Sequence, residues 1–90
     1  NLAEFPDAVT ERGLKHLNEL MEAKNRGFDI YLAFIIQRED CKNFKIAEDI
    51  DPKYKKLLTF AQKNKLKVIC YDCKFLSKGI IINNQINFIK

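Results

Sequence analysis

Two rhythms of apolar and polar positions run through the chain, one with the helical period of about 3.6 residues and one with the strand period of two. The first helix is expected to begin between Asp7 and Thr10, both competent N-caps after Phe5-Pro6, and to end at Gly27. Leu14, Leu17, Leu20 and Met21 form its apolar stripe, with Arg12, Lys15, His16, Glu19 and Glu22 on the other side. From Phe28 to Gln37 both alternating sets are apolar, Ile30, Leu32, Phe34 and Ile36 against Tyr31, Ala33 and Ile35, which predicts a central strand. Asp51-Pro52 predicts a helix start, Asp as cap and Pro at the first position, where its missing N–H costs nothing. That helix runs to about Asn64. It buries Tyr54, Leu57, Leu58 and Ala61 and leaves Lys53, Lys55, Lys56 and Lys63 on or beside the solvent face.

Leu66 to Phe75 predicts a second strand, followed by a meander of Gly79 to Ile82, an Asn83-Asn84 turn and Ile86 to Ile89. The order strand, helix, strand implies a parallel pair joined by a crossover. The expected fold is therefore α/β, a mixed sheet with two packed helices and a C-terminal hairpin.

Composition narrows the class. Hydrophobic residues make up 47% and charged residues 31%, ordinary values for one globular domain. The longest apolar run, Ile30 to Ile36, stops at Gln37-Arg38, well short of the roughly 20 residues of a spanning helix, so no membrane role is expected. The chain starts at Asn1 without an initiator Met and reads as a piece of a longer protein. Three cysteines, Cys41, Cys70 and Cys73, are an odd number, and the apolar content needs no staples, so a reducing compartment, the cytoplasm, is expected. Cys70 and Cys73 have CxxC spacing but lie in a strand pattern, where residues three apart point to opposite faces; buried strand cysteines are the expectation.

The net charge of +4 is compatible with nucleic acid without requiring it, since scattered lysines usually form a solvated surface. The densest cluster of candidate chemistry is Asp7, Thr10, Arg12, Lys15 and His16. A helix N-terminus exposes unpaired N–H groups and partial positive charge, to which cationic side chains add, so the cluster suits a phosphate. Its rival is an exposed helix face with a capping Asp. No nucleophile motif, Gly-rich phosphate loop or paired-carboxylate metal motif is present. The acidic pairs Glu39-Asp40 and Glu48-Asp49-Asp51 are expected to face water.

The stretch Phe5-Pro6-Asp7-Ala8-Val9-Thr10-Glu11-Arg12-Gly13-Leu14-Lys15-His16-Leu17 resembles the signature of the sugar fermentation stimulation protein family (SfsA). Phe34-Ile35-Ile36-Gln37-Arg38-Glu39-Asp40, then Ile50-Asp51-Pro52-Lys53-Tyr54 with Leu58 and Ala61, resemble the same family in the same order. Ile46 stands where relatives often have Pro, and Lys65 where they usually turn with Gly; both affect loop shape only.

The resemblance implies an N-terminal OB-like domain followed by a restriction-endonuclease-like domain of the PD-(D/E)xK type, of which residues 1–90 would be the C-terminal half, without the strands that carry the metal motif. Pro6-Asp7 is not that motif. No cofactor is expected in these ninety residues and no catalysis by them alone; Mg²⁺ is expected only with carboxylates supplied from elsewhere. The implied partner is double-stranded DNA read with low sequence specificity, and the implied role is regulation of sugar, particularly maltose, metabolism. Arg12, Lys15, His16, Thr10 and Arg38 are the expected phosphate contacts, with Asp7 and Gln37 lining the site. The alternatives are a metal-dependent nuclease in the longer protein and a scaffold without a ligand. An exposed sheet edge is open either to pairing with another copy, as a homodimer, or to completion by residues of the longer protein.

Overall fold

The computed structural model describes residues 1–90. The element order is β1 (Leu2–Phe5), α1 (Glu11–Asn25), β2 (Tyr31–Ile36), β3 (Asn43–Ile46), α2 (Pro52–Lys63), β4 (Lys67–Leu76) and β5 (Gly79–Ile89). The five strands form one mixed sheet in the order β1-β3-β5-β4-β2. The pairs β1–β3, β3–β5 and β2–β4 are parallel and β4–β5 is antiparallel. The parallel β2–β4 pair with α2 between them in sequence is the one the strand, helix, strand order predicts.

Both helices are delimited by local chemistry. Thr10 caps α1 through its hydroxyl, which accepts from the Gly13 N–H at 3.0 Å, and Asp51 caps α2 by accepting from the Tyr54 N–H at 3.1 Å. The far ends carry matching Schellman closures. In α1 the Gly27 N–H reaches the Lys24 carbonyl at 3.0 Å and the Phe28 N–H the Ala23 carbonyl at 3.2 Å, with Gly27 at φ +97°. In α2 the equivalent bonds run from Lys65 to Gln62 at 3.1 Å and from Leu66 to Ala61 at 3.0 Å. Here the left-handed position, φ 73°, falls on a lysine. Such a conformation costs a side-chain-bearing residue about 1 kcal/mol, and burial of Leu66 next to it holds the closure in place. Lys65→Gly is therefore expected to raise stability by up to about 1 kcal/mol, measured by urea denaturation.

A file of five aromatic rings forms the centre of the core. Tyr54 meets Phe5 at 5.3 Å between centroids, Phe5 meets Phe34 at 5.6 Å, Phe34 meets Phe44 at 4.8 Å and Phe44 meets Phe88 at 5.9 Å. The contact between Phe5 and Phe34 joins β1 to β2, the two ends of the strand order, so the sheet is curled. Leu17, Met21, Leu58, Ala61 and Leu66 complete the core from the helices and their ends. Gly13 of α1 sits directly against Tyr54 of α2: a Cβ there would lie 2.9 Å from the Tyr54 ring and 2.8 Å from Thr10 Cγ2. Only glycine leaves that space.

The structure corrects the sequence reading in three places. β2 spans Tyr31–Ile36 and occupies the edge of the sheet beyond β4, with Tyr31, Ala33 and Ile35 exposed. Its all-apolar pattern does not mark a central strand. Asn83-Asn84 is not a turn: β5 runs unbroken from Gly79 to Ile89, and the chain reverses at Ser77-Lys78 instead. The register between β4 and β5 slips between Tyr71 and Cys73, a β-bulge that places one extra residue of β5 at the asparagines. The buried Asp72 carboxylate accepts from the Asn84 N–H at 2.7 Å, which meets the donor that the bulge leaves out of the ladder. Finally, Asp51 does not face water. It is 1% exposed.

Candidate functional site

α1 places Arg12, Lys15 and His16 at spacings of three and four residues, so they share one helix face, and all three are exposed. The ion pairs of the molecule are Lys24–Asp29, Arg38–Asp40 and Lys45–Glu4, so the charges of Arg12 and Lys15 are not engaged by a carboxylate. The Thr10 hydroxyl oxygen accepts from the Gly13 N–H at the start of this face, and its O–H remains able to donate. The Thr10 N–H in turn donates to Asp51 Oδ2 at 2.9 Å. Asp51 thus holds the first turns of both helices together, one carboxylate oxygen on each.

The curl of the sheet creates a second feature. Asp7, Gln37 and Arg38 converge on a cleft of about 450 Å³ between β1 and β2, whose apolar wall includes Phe5, Phe34 and Phe44. Glu4 also lines it and pairs with Lys45 at 3.7 Å. Arg38 is not free there. Its Nε and Nη2 donate to the two Asp40 oxygens at 2.9 and 2.6 Å, and Asn1 Nδ2 donates to Asp40 at 2.6 Å. The Arg38 hydrogen bond, followed by that from Asn1, holds the Asp40 carboxyl well below the usual carboxylate range. The segment after β2 is pinned further by the Phe75 N–H, which donates to Glu39 Oε1 at 2.7 Å, and by the Cys73 N–H, which donates to the Arg38 carbonyl at 3.2 Å. The expected contacts therefore differ in kind: Arg12 and Lys15 on α1 are without a carboxylate partner, and Arg38 is paired with Asp40.

The three cysteines are free and buried. Burial pushes the Cys70 thiol up to about 11 and raises that of Cys41, so neither supplies a thiolate at neutral pH. Burial, and then the neighbouring Asp51, pushes the Tyr54 phenol up to about 12. No group of three or more His, Cys, Asp or Glu side chains in these residues is arranged to hold a metal ion. No helix is long and apolar enough to cross a membrane.

The family model described as the sugar fermentation stimulation protein RE domain matches residues 1–79. The chain belongs to the sugar fermentation stimulation protein family. The sugar fermentation stimulation protein homolog of Pelagibacter ubique is 48% identical over 87 residues, which is 97% of this chain and 38% of the relative. That of Paramagnetospirillum magneticum is 46% identical over 78 residues, 87% of this chain and 33% of the relative. The chain thus spans about a third of the length of these curated relatives. Among solved structures, Pyrococcus furiosus SfsA in complex with Ca²⁺ superposes with a TM-score of 0.89 at 26% identity, over 99% of this chain and 39% of that one. The mixed α/β fold of this chain is the SfsA fold, nuclease-like as the resemblance implied.

Proposed function

We propose that this SfsA-family chain binds double-stranded DNA through its phosphates, with little reading of sequence, and that α1 carries the contact. The observation that supports this most is the open α1 face, where Arg12, Lys15 and His16 stand together without a carboxylate partner. Phosphate contacts made by such side chains release counterions, give affinity that falls steeply with salt and position a protein without specifying a base. No base-reading element is needed for that role. Gln37 and Arg38 are secondary contacts, because Asp40 competes for the Arg38 guanidinium. A regulatory role in sugar metabolism, maltose in particular, belongs to the same proposal, as does a cytoplasmic location, which the buried free thiols favour. The open edge of β2 favours self-pairing into a homodimer.

A second reading rests on a different observation. The Pyrococcus furiosus relative was solved with Ca²⁺, a hard cation that takes oxygen ligands, as Mg²⁺ does. In a longer protein with additional carboxylates, the Asp7 cleft would lie beside a metal-dependent nuclease centre, with the α1 cations holding the phosphate.

The test is the double variant Arg12→Ala/Lys15→Ala. Removing two phosphate contacts is expected to weaken duplex binding and make the salt slope shallower by about 1.8, with the thermal melt unchanged because both side chains are exposed. Unaltered affinity and slope would remove α1 from the interface.

A further inference from the structure

We propose that the outer face of α2 is a separate platform for single-stranded nucleic acid, on which an unpaired base stacks on Phe60 while Lys53, Lys56 and Lys63 hold the flanking phosphates. This goes beyond the duplex contact assigned to α1 and does not rest on it. A groove of about 580 Å³ runs along this face, lined by Pro52, Lys53, Lys56, Thr59, Phe60 and Lys63 among others. At about 100° per residue, Phe60 falls between Lys53 and Lys56 around the helix, and Lys63 lies one turn beyond it. From Lys53 to Lys63 the row covers about 15 Å of helix axis at 1.5 Å per residue.

Phe60 is out of place for a core residue. α2 buries Tyr54, Leu58 and Ala61 on its inner face, yet Phe60 points away from that stripe and is 58% exposed. Its ring lies in a groove lined by lysines, where it is accessible to a stacking partner. None of the lysines on this face takes part in an ion pair. Glu48, at the margin of the groove, is the only acidic residue lining it.

The chemistry selects the partner. A ring that accepts a base face, between cations that accept phosphates, is the arrangement by which single strands are bound without sequence preference, each stacked base contributing strongly. A duplex hides its base faces and leaves the ring unused. An acidic peptide uses the lysines but has no requirement for the ring. An anionic membrane requires a broader apolar face than one phenylalanine.

Fluorescence anisotropy with a labelled oligothymidylate tests the assignment on the whole chain, with an abasic sugar-phosphate chain of equal length, polyglutamate and phosphatidylserine vesicles as parallel ligands. Phe60→Ala is expected to weaken oligothymidylate binding by about 5-fold or more and to leave the abasic chain unaffected, while Phe60→Tyr keeps the affinity. Lys53→Ala/Lys56→Ala is expected to weaken both and to make the single-strand salt slope shallower by about 1.4. Arg12→Ala/Lys15→Ala is expected to leave Phe60-dependent binding in place, so failure of the α1 assignment and failure of this one are read separately. Equal loss on the oligothymidylate and the abasic chain, no effect of Phe60→Ala, or a Phe60-dependent affinity for polyglutamate or vesicles would each overturn the proposal.

Discussion

Phe44→Ala is expected to lower stability by about 3–5 kcal/mol. Phe44 is 1% exposed and lies in the middle of the ring file, against Phe34 on β2 and Phe88 on β5. Removing it opens a cavity between β2, β3 and β5, and β3 is pinned on both sides, by β1 and by β5, so collapse into the space is limited. Phe44→Leu, which keeps most of the volume, is expected to lose less than half as much. Equilibrium urea denaturation measures both. For a domain of this size each kcal/mol moves the melting temperature by roughly 4–8 °C, so the alanine variant is expected to melt at least about 12 °C lower. An unchanged melt would mean that the ring file does not hold the sheet ends together.

Asp51→Ala is the second large effect, and its cause is polar. The carboxylate is buried and accepts one N–H from each helix start, Thr10 at 2.9 Å and Tyr54 at 3.1 Å. Losing the α2 cap costs about 1 kcal/mol, and leaving the Thr10 N–H without an acceptor costs about 1–3 kcal/mol more. A total loss of about 2–4 kcal/mol is expected. Asp51→Asn, which retains a single carbonyl acceptor, is expected to recover part of it. Hydrogen exchange then discriminates between the two helices: Asp51→Ala should release protection in the first turns of both α1 and α2, whereas an ordinary cap would release only α2. Release in α2 alone would refute the bridging role.

That bridge shows where sequence reading reaches its limit. The α2 cap was legible in Asp51-Pro52, because capping is decided within four residues. The second oxygen was not, since its partner lies 41 residues away in the chain. The same division applies to the strands. β1 and β3 are four residues each, too short for alternation to stand out, although Asn43-Phe44-Lys45-Ile46 carries it, with Phe44 and Ile46 buried. Their parallel pairing joins Leu2 to Asn43 and is fixed only by the folded sheet. β2 is apolar on both faces whether it lies at the centre or the edge, so its pattern alone does not decide its place. Asparagine suits a turn and a bulge alike; Asp72, on the facing strand, decides for the bulge.

The candidate site divides in the same manner. The exposed Arg12, Lys15 and His16 follow directly from helix periodicity. The meeting of Asp7 with Gln37 and Arg38 depends on the curl that brings Phe5 onto Phe34, which no local pattern specifies. The capture of Arg38 by Asp40, two residues along, was within reach of the sequence as a nearby pair of opposite charges, yet a pairing of that kind needs a loop geometry that spacing alone does not give.

A phosphate-contacting surface for duplex DNA within these ninety residues is directly measurable, by fluorescence anisotropy of a labelled duplex titrated with the chain from low to moderate salt. Saturable binding of similar strength on unrelated sequences is expected, with the logarithm of affinity falling linearly with the logarithm of salt at about 0.9 per phosphate contacted. No binding at low salt, or binding indifferent to salt, would rule such a surface out.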